Sequence, residues 1–385
     1  MEKIRIGDAC ELLNGFAFKS ENYVEEGIRI IRIANVQKGY IEDNTPAFYP
    51  ADSEGLDKYM LEENDLLMSL TGNVGRVAIL QKDMLPAALN QRVACLRLKT
   101  DRITKGYLFH LLNSDFFEQK CIQSSKGVAQ KNMSTEWLKD FLIPVYSAEK
   151  QQEITTTLDY LRDIIDKRKQ ELNKLDELIK ARFVELFGDP VSTTNEQKAD
   201  LEEICEKITD GEHGSVTRIS EGHPFLNAKH ILKNGQIDWN TITFIGDDDH
   251  KRIYKRCNPE EGDILLTTTG TIGNVAIMPV YEEVSMDRGI TLLKIDHKKV
   301  TSEFVAELLK QPSVQAEMGV NVHASAIGHL FMNKVKKLPA IIPSMDKQIE
   351  FTDFVKQVDK SKVAVQKSLA ETQKLFDSLM QEYFG

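Results

Sequence analysis

The chain repeats itself once, and this repeat constrains the fold more than any other feature. Residues 65–80, DLLMSLTGNVGRVAIL, align without gaps with residues 263–278, DILLTTTGTIGNVAIM, and eight of the sixteen positions are identical. Residues 150–151 and 347–348 are likewise Lys-Gln in both places. Because self-similarity at a fixed offset marks a duplicated structural unit, the 385 residues are predicted to form two related halves.

Each half ends in a stretch with a coiled-coil pattern. Along residues 149–187 and 346–385, alternate steps of four and three residues define a seam in which eight of ten positions are apolar. The seam positions are Ile154, Leu158, Leu161, Ile165, Arg168, Leu172, Leu175, Ile179, Arg182 and Leu186, then Phe351, Val355, Val358, Lys362, Val365, Leu369, Thr372, Phe376, Leu379 and Tyr383. A long helix with so narrow an apolar stripe needs a partner helix.

Chain direction predicts how the two helices pair. The first helix leads from globule one into globule two and the second leaves globule two, so a short return path makes the pair antiparallel. At about 1.5 Å per residue, a helix over residues 149–187 spans roughly 58 Å, which matches about 17 steps of duplex DNA.

The remaining segments, residues 1–148 and 188–345, are predicted to be mixed α/β domains. Residue types and periodicity predict strands over 28–36, 93–98, 263–268, 275–277 and 290–295, and helices over 105–121 and 302–311. The predicted fold class is mixed α/β: two domains in a pseudo-twofold arrangement, separated by the antiparallel two-helix coiled coil.

Composition limits where the protein acts. With 41% hydrophobic residues, no apolar run of bilayer length and no secretory signal, the chain is expected in the cytoplasm and away from membranes. Its five scattered cysteines are expected to be reduced. The net charge of −10 is unusual for a DNA-binding protein, unless the negative charge lies on the helices and outer faces.

The sequence carries no motif of a common catalytic class. The glycine segment at residues 269–274 lacks the spacing and the lysine of a phosphate-binding loop, and its counterpart at 71–76 also fits a structural turn. The eight histidines are scattered, without metal-ligand spacing. The chain is therefore predicted to be non-catalytic, with no metal and no cofactor of its own.

Several motifs carry a family resemblance over the whole length. They are NGFAFKS at residues 14–20, GNVGR at 72–76, LNQRV at 89–93, GVAQKNM at 127–133, EKQQEI at 149–154 and LFGDPV at 186–191. With these motifs the chain resembles the specificity subunit of type I restriction–modification systems. The second half, around residues 217–234 and 320–329, matches that family less clearly.

The resemblance implies a role in DNA recognition. It implies target-recognition domains over residues 1–148 and 188–345, each reading one half of an asymmetric bipartite site in double-stranded DNA, and helical spacers over 149–187 and 346–385. It also implies that the helices dock two adenine-N6 methyltransferase subunits, which restriction and translocase subunits then join. S-adenosylmethionine, ATP and magnesium are expected on those partners.

DNA contacts are expected from polar side chains on loops, because Arg, Lys, Asn and Gln read base edges while Ser, Thr and basic residues hold phosphates. The candidates are Thr71, Asn73, Arg76, Arg92, Lys126, Gln130, Lys131, Asn132, Thr269, Thr271, Asn274, Arg288, His323 and Ser325. Arg92 and Arg288 are predicted to be equivalent across the repeat. Each basic side chain alone also fits an ordinary solvated surface.

Two other classes of function stay open. A self-contained modification enzyme would need a methyl-donor site, for which the sequence has no motif. A structural coiled-coil adaptor would account for the helices, but it would leave two differing α/β domains unexplained.

Overall fold

The structure is a computed structural model that describes residues 2–125, 132–194, 197–321 and 328–385. The chain divides into two compact units: unit 1 is Met1–Lys169 with Lys367–Gly385, and unit 2 is Gln170–Gln366. Each of the two long helices therefore contributes one half to each unit.

Unit 1 combines strands with short helices. Its strands are β1 (Glu2–Arg5), β2 (Cys10–Asn14), β3 (Ile28–Ile31), β4 (Phe48–Tyr49), β5 (Leu66–Ser69), β6 (Val77–Ile79), β7 (Ala87–Leu89), β8 (Val93–Leu98) and β9 (Leu142–Val145). Its helices are α1 (Ile6–Ala9), α2 (Lys105–Leu112), α3 (Asp115–Ser124), α4 (Thr135–Asp140) and the first part of α5 (Ala148–Phe187).

The main sheet of unit 1 is antiparallel, in the order β2-β8-β5-β6. Along β5, Leu66 and Met68 enter one hydrophobic core and Leu67 enters another, because successive side chains of a strand point to opposite faces. A second sheet has the order β4-β3-β7, in which β3 and β7 are parallel, and β1 pairs with β9. The apolar runs that mark β5 and β8 in the sequence thus belong to a sheet buried on both faces.

Unit 2 follows the same plan. Its strands are β10 (Gln197–Asp200), β11 (Cys205–Asp210), β12 (Arg218–Ile219), β13 (His223–Leu226), β14 (Thr243–Ile245), β15 (Ile264–Thr267), β16 (Val275–Ile277), β17 (Ser285–Met286), β18 (Ile290–Ile295) and β19 (Pro339–Ile342). Its helices are α6 (Asp247–Tyr254), α7 (Ser302–Leu309), α8 (Pro312–Val320), α9 (Met332–Lys336) and the first part of α10 (Met345–Phe384).

Sheet order repeats between the units. Unit 2 has β11-β18-β15-β16, β12-β14-β13-β17 with β13 and β17 parallel, and the pair β10-β19. Only the edge strand β12 lacks a named counterpart among the described strands of unit 1. The mixed α/β class and the duplication are both confirmed.

The strand predicted over 28–36 is too long. It ends at Ile31, because the Arg32 N–H donates to the Asn35 side-chain oxygen at 2.9 Å and the chain turns into a short 3₁₀ segment, Ile33–Asn35. Likewise, β15 spans Ile264–Thr267 where residues 263–268 were predicted. By contrast, β8, β16 and β18 have the predicted bounds.

The single helix predicted over 105–121 is two helices. The Asn113 side chain donates to the Phe109 carbonyl at 2.9 Å at the end of α2, and the Ser114 hydroxyl accepts from the Phe117 N–H at 3.2 Å to begin α3. A side-chain oxygen at a helix N-cap starts a new helix at this point. In unit 2 the helix predicted over 302–311 ends at Leu309, and Pro312 opens α8.

The two long helices pack on each other within each unit. In unit 1, Ile154 and Leu158 of α5 share a core with Met380 and Phe384 of α10. In unit 2, Ile179 and Phe183 of α5 share a core with residues of α10 that include Phe351, Val355 and Val358. Phe183 and Leu178, both off the predicted seam, differ: Phe183 is fully buried, whereas Leu178 is exposed.

Ion pairs in unit 2 show the direction of this packing. Arg182 pairs with Glu350 at 2.7 Å, and Asp176 pairs with Lys362 at 2.7 Å. Residue numbers fall along α5 as they rise along α10, so the helices are antiparallel, as predicted. Arg182 and Lys362 occupy seam positions, where these pairs accommodate their charges.

A buried glutamine joins each long helix to its globule. The Gln151 side-chain oxygen accepts from the Thr104 N–H at 2.8 Å, and its nitrogen donates to the Arg102 and Tyr146 carbonyls at 2.8 and 2.9 Å. In unit 2, Gln348 makes the equivalent bonds to the backbone of Thr301, Lys299 and Pro343. We call each set of bonds a glutamine clasp; both glutamines are almost completely buried.

Two further findings concern the chemical environment. Within the described ranges, no helix is long and apolar enough to span a membrane. All five cysteines are free thiols, and burial raises the pKa of Cys10 to about 12.

Replacing Gln151 by leucine should destabilise the protein by about 2–3 kcal/mol, because it leaves one N–H and two carbonyls buried without a partner. Urea unfolding followed by circular dichroism measures this change. Gln152→Leu, on the exposed face of the same helical turn, is the matched control and should cost less than about 0.5 kcal/mol. Equal stabilities for the two variants would show that the clasp does not anchor the helix.

Candidate functional site

The candidate residues of unit 1 are built around the turn between β5 and β6. The Gly75 N–H donates to the Ser69 carbonyl at 2.9 Å, and the Ser69 N–H donates to the Arg76 carbonyl at 3.0 Å. The buried Ser69 hydroxyl donates to the Asn73 carbonyl and accepts from the Arg76 N–H. This hydroxyl holds the tip of the turn, where the Asn73 side chain is exposed.

Two other segments lie directly against this turn. The Leu70 N–H donates to the Arg92 carbonyl, in the turn between β7 and β8, at 3.0 Å. The Leu70 carbonyl accepts from the Met133 N–H at 2.9 Å, and Thr71 forms a β-bridge with Asn132. Candidates far apart in the sequence are thus brought to one edge of the unit.

A fourth segment, after β2, completes this edge. The Phe16 N–H donates to the Leu89 carbonyl at 2.8 Å, and the Phe16 carbonyl accepts from the Gln91 N–H at 2.9 Å. A Cβ on Gly15 would lie only 2.2 Å from the Asn90 carbonyl oxygen. Only glycine permits so close an approach of two backbones.

Unit 2 builds its edge with the same bonds. The Gly273 N–H donates to the Thr267 carbonyl at 2.9 Å and closes the turn between β15 and β16. The Thr268 N–H donates to the Gly289 carbonyl at 2.8 Å, and the Thr268 carbonyl accepts from the Leu330 N–H at 2.9 Å.

The other two contacts also recur in unit 2. Thr269 forms a β-bridge with His329, and its hydroxyl lies 2.7 Å from the His329 Nδ1. The Glu212 N–H donates to the Met286 carbonyl at 2.9 Å, and the Glu212 carbonyl accepts from the Arg288 N–H at 2.9 Å. The same scaffold therefore carries different side chains in the two units.

These bonds correct the predicted equivalence of Arg92 and Arg288. The carbonyl that corresponds to that of Arg92 belongs to Gly289, and the Arg288 N–H makes the bond that the Gln91 N–H makes in unit 1. The counterpart of Arg288 is Gln91, at an offset of 197 residues. Aligning the two arginines by residue type therefore misplaces the equivalence by one position.

Two residues of this edge were missed as candidates, Gln91 and His329, the latter being the counterpart of Asn132. The signal for both was present in the sequence. The offset of 197 that relates Gln151 to Gln348 also relates these two pairs.

The candidate side chains differ in accessibility. The exposed ones are Asn73, Arg92, Asn132, Thr271 and Arg288. The partly buried ones are Thr71, Arg76, Thr269 and Asn274. Lys126, Gln130, Lys131, His323 and Ser325 lie outside the described residues.

Two partly buried candidates brace the turns. The Arg76 guanidinium donates to the Gln37 side-chain oxygen, and the Asn274 amide donates to the Ile231 carbonyl at 2.7 Å. Each bond ties a turn to the loop after the neighbouring strand, β3 or β13. These bonds occupy donor groups of both side chains, which favours a role in shaping the turns.

His329, which lies at the edge of unit 2, is a neutral side chain. Burial, and then the positive charge of Arg288, lower the pKa of His329. Because an unperturbed histidine titrates near 6.5, the ring is uncharged at pH 7. His329 therefore offers a hydrogen-bonding group and no positive charge.

Acidic side chains near the edge of unit 2 have basic partners. Glu212 forms an ion pair with Arg252. Asp210 lies 2.7 Å from the His213 Nε2 and 3.5 Å from an Arg256 nitrogen. These partners reduce the negative potential that the carboxylates present to the edge.

The long helices do not carry the acidic excess. Helix α5 has nine acidic and eight basic residues, and α10 has seven and six. The helices thus contribute −2 of the net charge of −10, and most of the excess lies on the globules.

The chemistry available at these edges is hydrogen bonding by Arg, Asn, Gln, Thr and His side chains. In the part of the chain that the structure describes, no group of three or more His, Cys, Asp or Glu side chains could hold a metal ion. A rigid backbone edge with exposed polar side chains is suited to reading another polar surface.

Sequence comparison places the chain beside known proteins. The profile described as type I restriction modification DNA specificity domain matches residues 1–177 and 205–373. The type I restriction enzyme EcoBI specificity subunit of Escherichia coli is 24% identical over 99% of this chain and 85% of its own length. The MjaIX specificity subunit of Methanocaldococcus jannaschii is 22% identical over 82% of this chain and 75% of its own.

Solved structures share the fold. The S subunit of a type I restriction-modification system from M. genitalium has a TM-score of 0.54 at 17% identity, covering all of this chain and 96% of that one. A chain from a structure of the type I R-M system has a TM-score of 0.56 at 15% identity, with 100% and 97% covered.

Alanine at Gly211 should destabilise the protein by about 3 kcal/mol, because its Cβ would lie 2.1 Å from the Met286 carbonyl oxygen and force two segments of the edge apart. Urea unfolding measures the effect. Gly319→Ala is the control in the same unit, since a Cβ there meets nothing within 4 Å, and it should be neutral or slightly stabilising. A neutral Gly211→Ala would contradict the close approach.

Proposed function

The chain belongs to the family of type I restriction modification DNA specificity domains, and from this premise we propose that it is the DNA sequence-recognition subunit of a type I restriction–modification complex. One observation carries the proposal. The same backbone edge is built twice, with different exposed side chains on each copy.

Each edge is proposed to read one half of a bipartite DNA site. Asn73, Gln91 and Asn132 belong to unit 1, whereas Thr271, Arg288 and His329 belong to unit 2. Different side chains on one scaffold favour different bases, so the two halves of the site are expected to differ. The candidates outside the described residues, Lys126, Gln130, Lys131, His323 and Ser325, stay part of this proposal.

The long helices are proposed to set the length of the spacer between the two half-sites, whose bases are not read. Helices α5 and α10 have 40 residues each, and at 1.5 Å per residue each is about 60 Å long. Their shared seam makes them stiffer than a single helix would be. Such a rod suits a fixed separation of two recognition domains.

Catalysis is assigned to partner subunits. The relatives are named as specificity subunits of restriction enzymes, which implies a complex with other chains. We propose two adenine-N6 methyltransferase subunits docked on the helices, and restriction and translocase subunits that join them. S-adenosylmethionine, ATP and magnesium would bind those partners, and the complex would act on DNA in the cytoplasm.

The proposal predicts chain-dependent methylation. Co-expression with an adenine methyltransferase subunit that co-purifies with this chain should produce N6-methyladenine at one split motif, mapped over the genome and absent from a strain without the chain. A stable complex that yields no chain-dependent methylation would favour the coiled-coil adaptor instead.

Shortening both helices by one heptad, residues 168–174 and 364–370, should shorten the spacer of the methylated motif by about 3 base pairs. Seven residues rise about 10.5 Å, and each base-pair step is about 3.4 Å. A seven-residue deletion preserves the seam register, whereas the control, a four-residue deletion in each helix, breaks it and should abolish methylation. An unchanged spacer would show that the helices do not set it.

A further inference from the structure

We propose that one turn position reads a base in each unit: the middle residue of the turn from β7 to β8 in unit 1, and that of the turn from β17 to β18 in unit 2. In this proposal Gln91 reads adenine and Arg288 reads guanine. The inference rests on the proposed function and deepens it. It assigns a base to each half of the site at one structurally equivalent position.

The equivalence rests on backbone bonds. The N–H of the middle residue, Gln91 or Arg288, donates to the carbonyl of Phe16 or Glu212. The residue after the turn, Val93 or Ile290, donates its N–H to the carbonyl of the first turn residue at 2.9 or 3.2 Å. The first residue, Asn90 or Asp287, also accepts a backbone N–H on its side-chain oxygen. The backbone of both turns is therefore fixed in the same conformation.

The two side chains are exposed and available. The described part of the chain shows no hydrogen bond or ion pair for the side chain of Gln91 or of Arg288. In contrast, Arg252 and Arg256 of the same unit form ion pairs with the nearby carboxylates of Glu212 and Asp210. Within the described ranges, the guanidinium donors of Arg288 are thus free for a ligand.

Among the described residues, the neighbouring carboxylate of Asp287 forms no ion pair with Arg288, although the charge of Arg288 acts on it. The Asp287 side chain accepts from the Gly289 N–H at 2.8 Å within the turn itself. Asp287, Arg288 and Arg218 line one polar cleft, together with Glu212 and His213. Arg218 is also exposed, but it lies over the Phe225 ring, 3.9 Å from its centroid, and Arg288 is the guanidinium that the turn itself carries.

Side-chain chemistry assigns the bases. A guanidinium donates two parallel hydrogen bonds to the O6 and N7 of guanine, whereas a glutamine amide both donates and accepts, which matches the N7 and N6 of adenine. A phosphate contact would carry no preference among bases. A rigid turn that presents an unpaired side chain favours direct reading.

A reciprocal exchange tests this assignment in the complex of the full chain with its methyltransferase subunit. Wild type, Arg288→Gln and Gln91→Arg each select from a pool of randomised DNA duplexes at one fixed salt concentration. We expect Arg288→Gln to change one guanine to adenine in one half-site, and Gln91→Arg to change one adenine to guanine in the other. Each variant should bind the wild-type site about tenfold or more weakly and regain affinity when that base pair is changed.

Arg92→Gln is the matched control. Arg92 is exposed and adjoins Gln91, but its counterpart in unit 2 is Gly289, so we expect weaker binding at most, with an unchanged motif. Regained affinity on the altered site cannot come from a misfolded variant.

The outcomes separate the two levels of the proposal. A split motif for wild type, with variants that lose affinity equally for all duplexes, would overturn the assignment and leave the proposed function intact. No split motif for wild type would overturn both.

Discussion

The glutamine clasp is the constraint on which the rest of the molecule depends. A helix can set the position of a recognition domain only if the domain is held rigidly on it. At the first turn of each long helix, one buried side-chain amide binds three backbone groups of the globule. Leaving any of these groups without a partner costs more than the bond itself contributes. The clasp is therefore kept in both copies, although the globules around it have diverged.

The duplication separates what the backbone does from what the side chains do. Four segments meet at each edge mainly through backbone bonds. Side chains add the hydroxyls of Ser69 and Thr267, which hold the turn tips, and in unit 2 the contact between Thr269 and His329. Because main-chain groups build the edge, the exposed positions on it can change without unfolding the domain. Gly15 and Gly211 are the exception, since the approach of the backbones there excludes any side chain.

Sequence predicted the parts of the fold that depend on repeated local signals. Strand β8 and both long helices follow from runs and periods of apolar residues, which the cores then bury. The break at Asn113 and Ser114 was missed, because the apolar period continues across it and only the side-chain caps end one helix and begin the next. The equivalence of Arg288 and Gln91 was missed for a different reason. It is defined by corresponding backbone bonds, which residue identity does not reveal.

The acidic balance of the chain has a consequence for how it would hold DNA. With most of the excess negative charge on the globules, attraction to phosphates cannot come from the domain as a whole, and few basic side chains at the edge of unit 2 are left without an acidic partner. Affinity for any duplex through counterion release rises with the number of phosphates neutralised. We therefore expect the chain alone to bind any duplex weakly, with partner subunits supplying much of the affinity and this chain supplying the choice of bases.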